Sequence, residues 1–219
     1  MAALDKSVNG LLNKMRSSSQ TGKGTFGEQA VFQICEQFYQ RDGGILVHSY
    51  SYKVDKDQKG NIKRGENGQL YIENLGDLTE IDVLYVSKFR VFPIEVKAYR
   101  AKEIKLDDAG IYGCYKTDKS PVHQNEMHCR HLYPHIFRAL PDGNTDYIVP
   151  LVCMVDKAKI VDERSDWQKE YIHLCILNNL EDTIKRLNTP LQFQLNLELM
   201  DKILKEAMLK NEKYLPPRL

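Results

Sequence analysis

The spacing of apolar residues along the chain predicts a mixture of helices and strands. Residues 25–40 repeat apolar side chains at helical intervals, whereas residues 45–54 alternate apolar and polar side chains as a strand does. Residues 79–99 form two β-rich runs around a tight turn. The remaining predicted elements are a helix at 122–140, strands at 147–155 and 171–177, and helices at 180–188 and 192–213. Alternating helices and strands predict an α/β class with a mixed central sheet flanked by helices.

The segments between these elements are polar. Residues 1–24 are predicted to be an arm with a short helix, and Thr25 is predicted to cap the next helix with Glu28 completing a capping box. Residues 55–70, 100–120 and 156–169 are predicted to be loops, and a short strand is predicted within residues 69–74.

The amino-acid composition excludes several classes of protein. The 219 residues include 42% apolar and 28% charged side chains, which is typical of one globular domain, and the net charge of +1 excludes a polybasic coat protein. The longest nearly apolar run, residues 147–155, is far shorter than the about 20 residues of a membrane span. Five cysteines without a CxxC pair predict neither a disulfide framework nor a zinc ribbon, so we expect a cytoplasmic protein.

The predicted hairpin at residues 79–99 carries the candidate chemistry. With a two-residue turn at 88–89, Asp82 lies opposite Glu95, and Lys97 shares the face of Glu95 because side chains two apart on a strand point the same way. The rest of the hairpin is almost wholly apolar, as expected for strands that are covered on both faces.

Two buried, opposed carboxylates require compensating positive charge. Lys97 supplies one charge, and a divalent ion that prefers oxygen ligands would supply two more. Asp82 and Glu95 therefore predict a Mg²⁺ site, with Mn²⁺ as a second candidate. The alternative is an exposed strand face with a weak Glu95–Lys97 ion pair, worth about 0–1 kcal/mol.

Three blocks resemble the nuclease-related domain (NERD) family of the PD-(D/E)xK nuclease superfamily. They are GEQAVF at residues 27–32, EID at 80–82 followed by FPIEVK at 92–97, and SPVHQ at 120–124. Their order and spacing are similar to the helix–strand–hairpin–helix core of that family, over about residues 25–140. The resemblance implies a restriction-endonuclease-like fold and a metal-dependent nuclease.

The resemblance also implies roles for single residues. Asp82 and Glu95 would bind the metal ion, with the Val96 carbonyl as a third ligand. Lys97 would orient or activate the attacking water and stabilise developing charge. Because neighbouring carboxylates hold a lysine in its charged form, we favour water positioning over a role as primary base.

Two further residues enter through the resemblance. Glu28, on the first helix, would approach the metal ion or its waters. Gln124, at the start of the helix at 122–140, would help position water or phosphate.

The expected activity is Mg²⁺-dependent hydrolysis of DNA phosphodiester bonds, with RNA as an open alternative and no membrane partner. The expected domain division is an arm at 1–24, a NERD-like domain at 25–178, and helices packing on it at 179–219.

Other features leave alternatives open. His128, His131 and His135 share a helix face and could form a zinc site, although a polar helix face near the cleft is the simpler interpretation. The apolar stripe of residues 195–208 could pack on the domain or form a homodimer.

Predicted nucleic-acid contacts are Lys88, Arg90, Arg100 and Lys102. A non-catalytic module that binds DNA or protein is the alternative function.

Overall fold

The structure, a computed structural model, describes residues 20–53, 78–99, 101–113, 120–155 and 158–218. Most of the predicted arm, the loop and short strand predicted within 55–74, and Arg100 lie outside these ranges. The helices are α1 (Gln20–Asp42), α2 (Pro121–Ile136), α3 (Asp166–Tyr171), α4 (Leu180–Leu187) and α5 (Leu197–Ala207). The strands are β1 (Gly44–Lys53), β2 (Leu78–Val86), β3 (Val91–Lys97), β4 (Glu103–Leu106), β5 (Ile111–Tyr112), β6 (Leu151–Met154), β7 (Lys159–Asp162), β8 (His173–Ile176), β9 (Met208–Lys210) and β10 (Lys213–Arg218).

A mixed sheet forms the centre of the described chain. Its strand order is β10-β1-β2-β3-β6-β8, and β9 also pairs with β1. Neighbouring strands from β10 to β3 are antiparallel, whereas β3, β6 and β8 are parallel. A small sheet of order β5-β4-β7 lies beside it. The predicted α/β class with a mixed central sheet is confirmed.

Helices cover both faces of the large sheet, which explains its apolar strands. On one face α1 and α4 pack against the sheet, with Phe38 and Ile184 in one core with Phe92. On the other face α2 and α5 pack against the sheet, with Leu132 and Met200 in a second core. The result is a three-layer arrangement that holds the β2–β3 hairpin at its centre.

The β2–β3 hairpin has the predicted two-residue turn. The Ser87 N–H donates to the Arg90 carbonyl at 2.8 Å, and the Ser87 hydroxyl accepts the N–H groups of Phe89 and Arg90 at 3.0 and 2.9 Å. Strand pairing then runs from Val86–Val91 to Val83–Ile94 without a shift. This regular pairing ends one residue before Asp82 and Glu95.

Pro93 lies inside this hairpin without breaking it. It pairs with Leu84, and pairing of β3 with β6 begins at the next residue, Ile94. The buried amide of Asn125 on α2 donates to the Pro93 carbonyl at 3.2 Å and to the Leu151 carbonyl at 2.7 Å. Asn125 therefore fastens α2 to the sheet at the point where proline offers no N–H.

Several predicted boundaries differ from the structure. Helix α1 begins at Gln20, so Thr25 lies within it and the predicted capping box at Thr25 is wrong. Strands β4 and β5 replace part of the loop predicted at 100–120, and β7 with α3 replaces most of the loop predicted at 156–169. Buried and exposed side chains alternate along β4, and this alternation is the pattern from which the strand could have been predicted.

The segment after residue 178 contains more than helices. The helix predicted at 192–213 is α5, which ends at Ala207, and β9 and β10 then join the large sheet beside β1. The predicted domain division stays a prediction. The apolar face of α5 is buried in the core through Leu197, Met200 and Leu204, which is the packing alternative expected for this stripe. A homodimer stays a prediction. Within the described residues, no helix is both long and apolar enough to span a membrane.

Candidate active site

Glu95 lies at the centre of a cluster of ionisable side chains near the end of β3. Its side chain is 1% exposed. The Lys97 ammonium forms an ion pair with Oε1 of Glu95, and the His128 Nε2 atom of α2 lies 3.4 Å from Oε2. The structure thus brings together the Glu95–Lys97 pair predicted from the sequence and adds an imidazole from the covering helix.

Asp82 approaches Glu95 from the neighbouring strand. Its Oδ2 atom accepts the backbone N–H of Val96 at 2.7 Å, so the carboxylate occupies a place where a strand carbonyl would ordinarily lie. This contact fixes Asp82 beside residues 95 and 96. The predicted role of the Val96 carbonyl as a third ligand of the metal ion stays a prediction.

The backbone around Asp82 explains this position. Ile81 contributes to the core under α2 and α5, but Val83 contributes to the core under α1 and α4. Residues two apart on a strand ordinarily share a face, so β2 changes face at Asp82. On the adjacent strand, buried Ser49 has a φ of 54°, a left-handed conformation that is strained for serine.

Burial and mutual repulsion dominate the electrostatics of the carboxylates. Burial, with the nearby Asp82 carboxylate, raises the pKa of Glu95 well above its ordinary value, and Lys97 opposes this only in part. Burial likewise raises the pKa of Asp82, against the Val96 N–H and Lys97. Both carboxylates are therefore costly to ionise without further positive charge.

Lys97 keeps its charge in this setting. Burial acts to lower the pKa of Lys97, but the carboxylates of Glu95, Asp82 and Glu28 outweigh it and raise the pKa above its ordinary value. A lysine that stays protonated can position water and stabilise negative charge, but it is a poor proton acceptor.

Helix α1 brings Glu28 within electrostatic reach of Asp82 and Lys97. Burial, followed by the charges of Asp82, Glu212 and Glu80, raises the pKa of Glu28 to about 7. Gly27 permits this approach, since a Cβ atom there would lie 2.7 Å from the Val155 side chain. The glycine in the first sequence block therefore has a packing reason.

Two acidic residues near Glu28 escaped the sequence analysis as site candidates. Glu80 accepts a hydrogen bond from the Ser51 hydroxyl at 3.0 Å, and Glu212 lies 3.0 Å from Nδ1 of buried His48. Glu80 could have been found from its position two residues before Asp82. Glu212 gave no signal, because β10 brings it to β1 from a distant part of the chain.

Helix α2 supplies one side of the site. Gln124, in its first turn, is partly exposed and lies one helical turn before His128, hence on the same face. Burial and the Lys97 charge lower the pKa of His128 to about 4, so the imidazole is neutral at physiological pH.

The predicted nucleic-acid contacts do not lie together. Lys88 and Arg90 belong to the turn at the opposite end of the hairpin from Glu95. Arg90 is buried, and its guanidinium donates to the Leu187 carbonyl and the Thr189 hydroxyl, which suits the stabilisation of the α4 C-terminus. These are structural contacts, and a phosphate contact of Arg90 stays a prediction. Lys102 is exposed, and Arg100 lies outside the described residues.

The carboxylates suit a hard divalent cation. Both oxygens of Glu95 are buried and have no hydrogen bond of regular geometry among the described residues, despite the ion pair with Lys97. Asp82 adds a second carboxylate, and Mg²⁺ commonly binds through one or two carboxylates with water or phosphate completing its shell. In the described ranges no three His, Cys, Asp or Glu side chains are arranged to hold a metal ion, so the zinc alternative gains no support.

The site lies within a segment that matches a known protein family. The family model described as nuclease-related domain (NERD) matches residues 23–155, which include Glu28, Asp82, Glu95, Lys97 and His128. The match covers more than half of the chain and confirms the resemblance seen in the three sequence blocks. Neither the curated proteins nor the solved structures include a significant match.

Proposed function

This chain belongs to the nuclease-related domain family, and from that premise we propose that it is a metal-dependent nuclease that hydrolyses DNA phosphodiester bonds. Asp82 and Glu95 bind a divalent cation, Mg²⁺ or Mn²⁺, and Lys97 positions the attacking water. The observation that carries the proposal is the Glu95 carboxylate, which is buried beside Asp82 without regular hydrogen bonds. Lys97 neutralises only one of these two buried carboxylates, so the pair is destabilising unless a further cation neutralises the other.

The side chains divide the work of hydrolysis. A bound divalent cation supplies charge neutralisation at phosphate and lowers the pKa of water. Lys97, held by Glu95, holds the water and stabilises negative charge that develops on the phosphate. Glu28 is partly exposed, and with its pKa near 7 it can exchange a proton with solvent. Gln124 would orient phosphate or water from the first turn of α2.

The charges around the site make DNA binding depend on the cation. Among the described residues, four carboxylates in addition to Glu95 interact there, namely Glu28, Glu80, Asp82 and Glu212, and the ammonium of Lys97 opposes them. Phosphate groups are repelled until divalent ions reduce this negative field. Affinity for DNA should therefore be low in chelator and should rise with Mg²⁺ or Mn²⁺.

Cleavage assays with point variants test the proposal. Plasmid, linear DNA and RNA are incubated with the protein in Mg²⁺, Mn²⁺ or EDTA. Asp82→Asn, Glu95→Gln and Lys97→Ala should each slow DNA cleavage by on the order of 100-fold or more. Glu126→Gln is the matched control, because that carboxylate pairs with Arg130 on the outer side of α2. Wild-type rates in the three site variants would refute the proposal.

The ion pair between Lys97 and Glu95 favours a second candidate, a nuclease fold that binds DNA without cutting it. Lys97 already contacts the carboxylate that a cation would need. This candidate predicts salt-dependent DNA binding in EDTA that survives Glu95→Gln, with no cleavage by wild type in either metal. Binding that requires the cation and is lost in Glu95→Gln would exclude it.

A further inference from the structure

Two buried polar groups face each other across the interface between α2 and β3. The Nε2 atom of His128 lies 3.4 Å from Oε2 of Glu95. Neither ring nitrogen of His128 and neither oxygen of Glu95 has a regular hydrogen bond within the described part of the chain. His128 is only 8% exposed, so both groups are removed from water at the same place.

The position of His128 is fixed by its backbone. The Tyr52 hydroxyl donates to the His128 carbonyl at 2.9 Å, and Asn125, one turn earlier, fastens the same helix to β3. Packing alone would be served better by an apolar side chain, since a buried imidazole without partners costs about 1–3 kcal/mol. A polar role is the better explanation of this imidazole, and Oε2 of Glu95 lies within reach of its Nε2 atom.

Glu95 is contacted differently at its two oxygens. Lys97 approaches Oε1, and His128 approaches Oε2. A carboxylate that binds a metal ion through one oxygen is commonly held by a hydrogen bond to the other, and loss of such a donor weakens metal binding.

We propose that His128 is a positioning residue, which donates a hydrogen bond from Nε2 to Oε2 of Glu95 and so holds Oε1 in place between Lys97 and the divalent cation. This inference rests on the proposed function, because it concerns the carboxylate that holds the cation. It adds a residue outside the three sequence blocks, and it assigns the proton of His128 to Nε2.

Substitutions that reproduce one ring nitrogen or the other test this assignment. Glutamine can place its amide nitrogen near the position of Nε2, whereas asparagine reaches only the position of Nδ1. We therefore expect His128→Gln to bind Mn²⁺ with an affinity close to that of wild type. His128→Asn and His128→Leu should bind it about 10-fold or more weakly. His123→Leu, on the exposed side of the same helix, is the matched control and should bind Mn²⁺ as wild type does.

Isothermal titration with Mn²⁺ alone gives the affinities, and urea unfolding in EDTA establishes that each variant is folded. The electron spin-echo spectrum of bound Mn²⁺ adds an independent readout, since a coordinated imidazole nitrogen modulates the echo. A positioning role predicts no directly bound nitrogen in wild type. Such a nitrogen, if it disappears in His128→Leu, would make His128 a ligand and overturn the positioning role.

The other outcomes separate this inference from the proposed function. If wild type binds Mn²⁺ and Glu95→Gln does not, but all three His128 variants bind like wild type, the positioning role alone is refuted. Equal losses in His128→Gln and His128→Leu refute the Nε2 donor. If wild type binds no Mn²⁺, the proposed function fails, and this inference fails with it.

Discussion

Glu28→Gln should stabilise the metal-free protein and make it less active. In the folded protein, burial and the charges of Asp82, Glu212 and Glu80 raise the pKa of Glu28 from 4.5 to about 7. The native state therefore binds more protons than the unfolded chain between these values, so stability falls as the pH rises from about 4.5 to 7. A glutamine has no such proton and escapes this loss.

The size of the effect follows from the same pKa. A tenfold change in proton affinity corresponds to about 1.4 kcal/mol, so a pKa raised from 4.5 to about 7 corresponds to about 3 kcal/mol. Glu28 keeps part of its contact with water, which screens the neighbouring charges, and we reduce this figure to about 1–2 kcal/mol. That gain should be present in full at pH 8.5 and should shrink to about 0.6–0.8 kcal/mol at pH 5.

Urea unfolding in EDTA at pH 5, 7 and 8.5 measures the difference. Glu36→Gln is the matched control, because this carboxylate lies on the same helix but pairs with Lys213 near the surface, and its change should stay within about 0.5 kcal/mol. A Glu28→Gln gain of the same size at pH 5 and pH 8.5 would show that the ionisation of Glu28 is not its cause. A loss of stability at pH 8.5 would refute the reasoning altogether.

Substitutions at three further positions test the structure around the site by urea unfolding. Asn125→Leu removes the donor to two buried carbonyls and should lower the free energy of unfolding by about 2–4 kcal/mol; an unchanged midpoint would contradict those bonds. Gly27→Ala places a methyl group against Val155 and should cost about 1–3 kcal/mol, unlike Gly110→Ala, which has open space. Ser49→Gly relieves a left-handed serine and should not destabilise, whereas Ser49→Val should destabilise by about 1–3 kcal/mol.

The β2–β3 hairpin was predictable because its information is local. A two-residue turn and a period of two fix which residues face each other, so Asp82, Glu95 and Lys97 could be placed together from the sequence. The hydroxyl of Ser87 reinforces that turn with bonds inside the same four residues. Helical spacing likewise placed His128 on the face of Gln124, although spacing alone could not tell which histidine meets the sheet.

The rest of the site depends on contacts that sequence patterns do not encode. Glu212 acts on Glu28 because β10 pairs with β1. The sequence of residues 208–218 does not distinguish β9 and β10 from the end of a helix followed by a polar tail. The change of face at Asp82 lies beside the left-handed Ser49 of another strand, a conformation that residue patterns do not reveal. Arg90 looked available for phosphate because its burial against α4 cannot be read from neighbouring residues.

The pairing of β10 with β1 also sets an order for folding. The Tyr39 hydroxyl bonds to the Pro216 carbonyl, 177 residues away, whereas the β2–β3 hairpin closes through a two-residue turn. Hairpins form within about 1–10 μs, but contacts between distant segments form late because their loop-closure entropy is large. Asp82 and Glu95 should therefore meet early, and Glu212 should join them after most of the sheet exists. Folding intermediates would then contain the Asp82–Glu95 pair without the additional negative charge of Glu212.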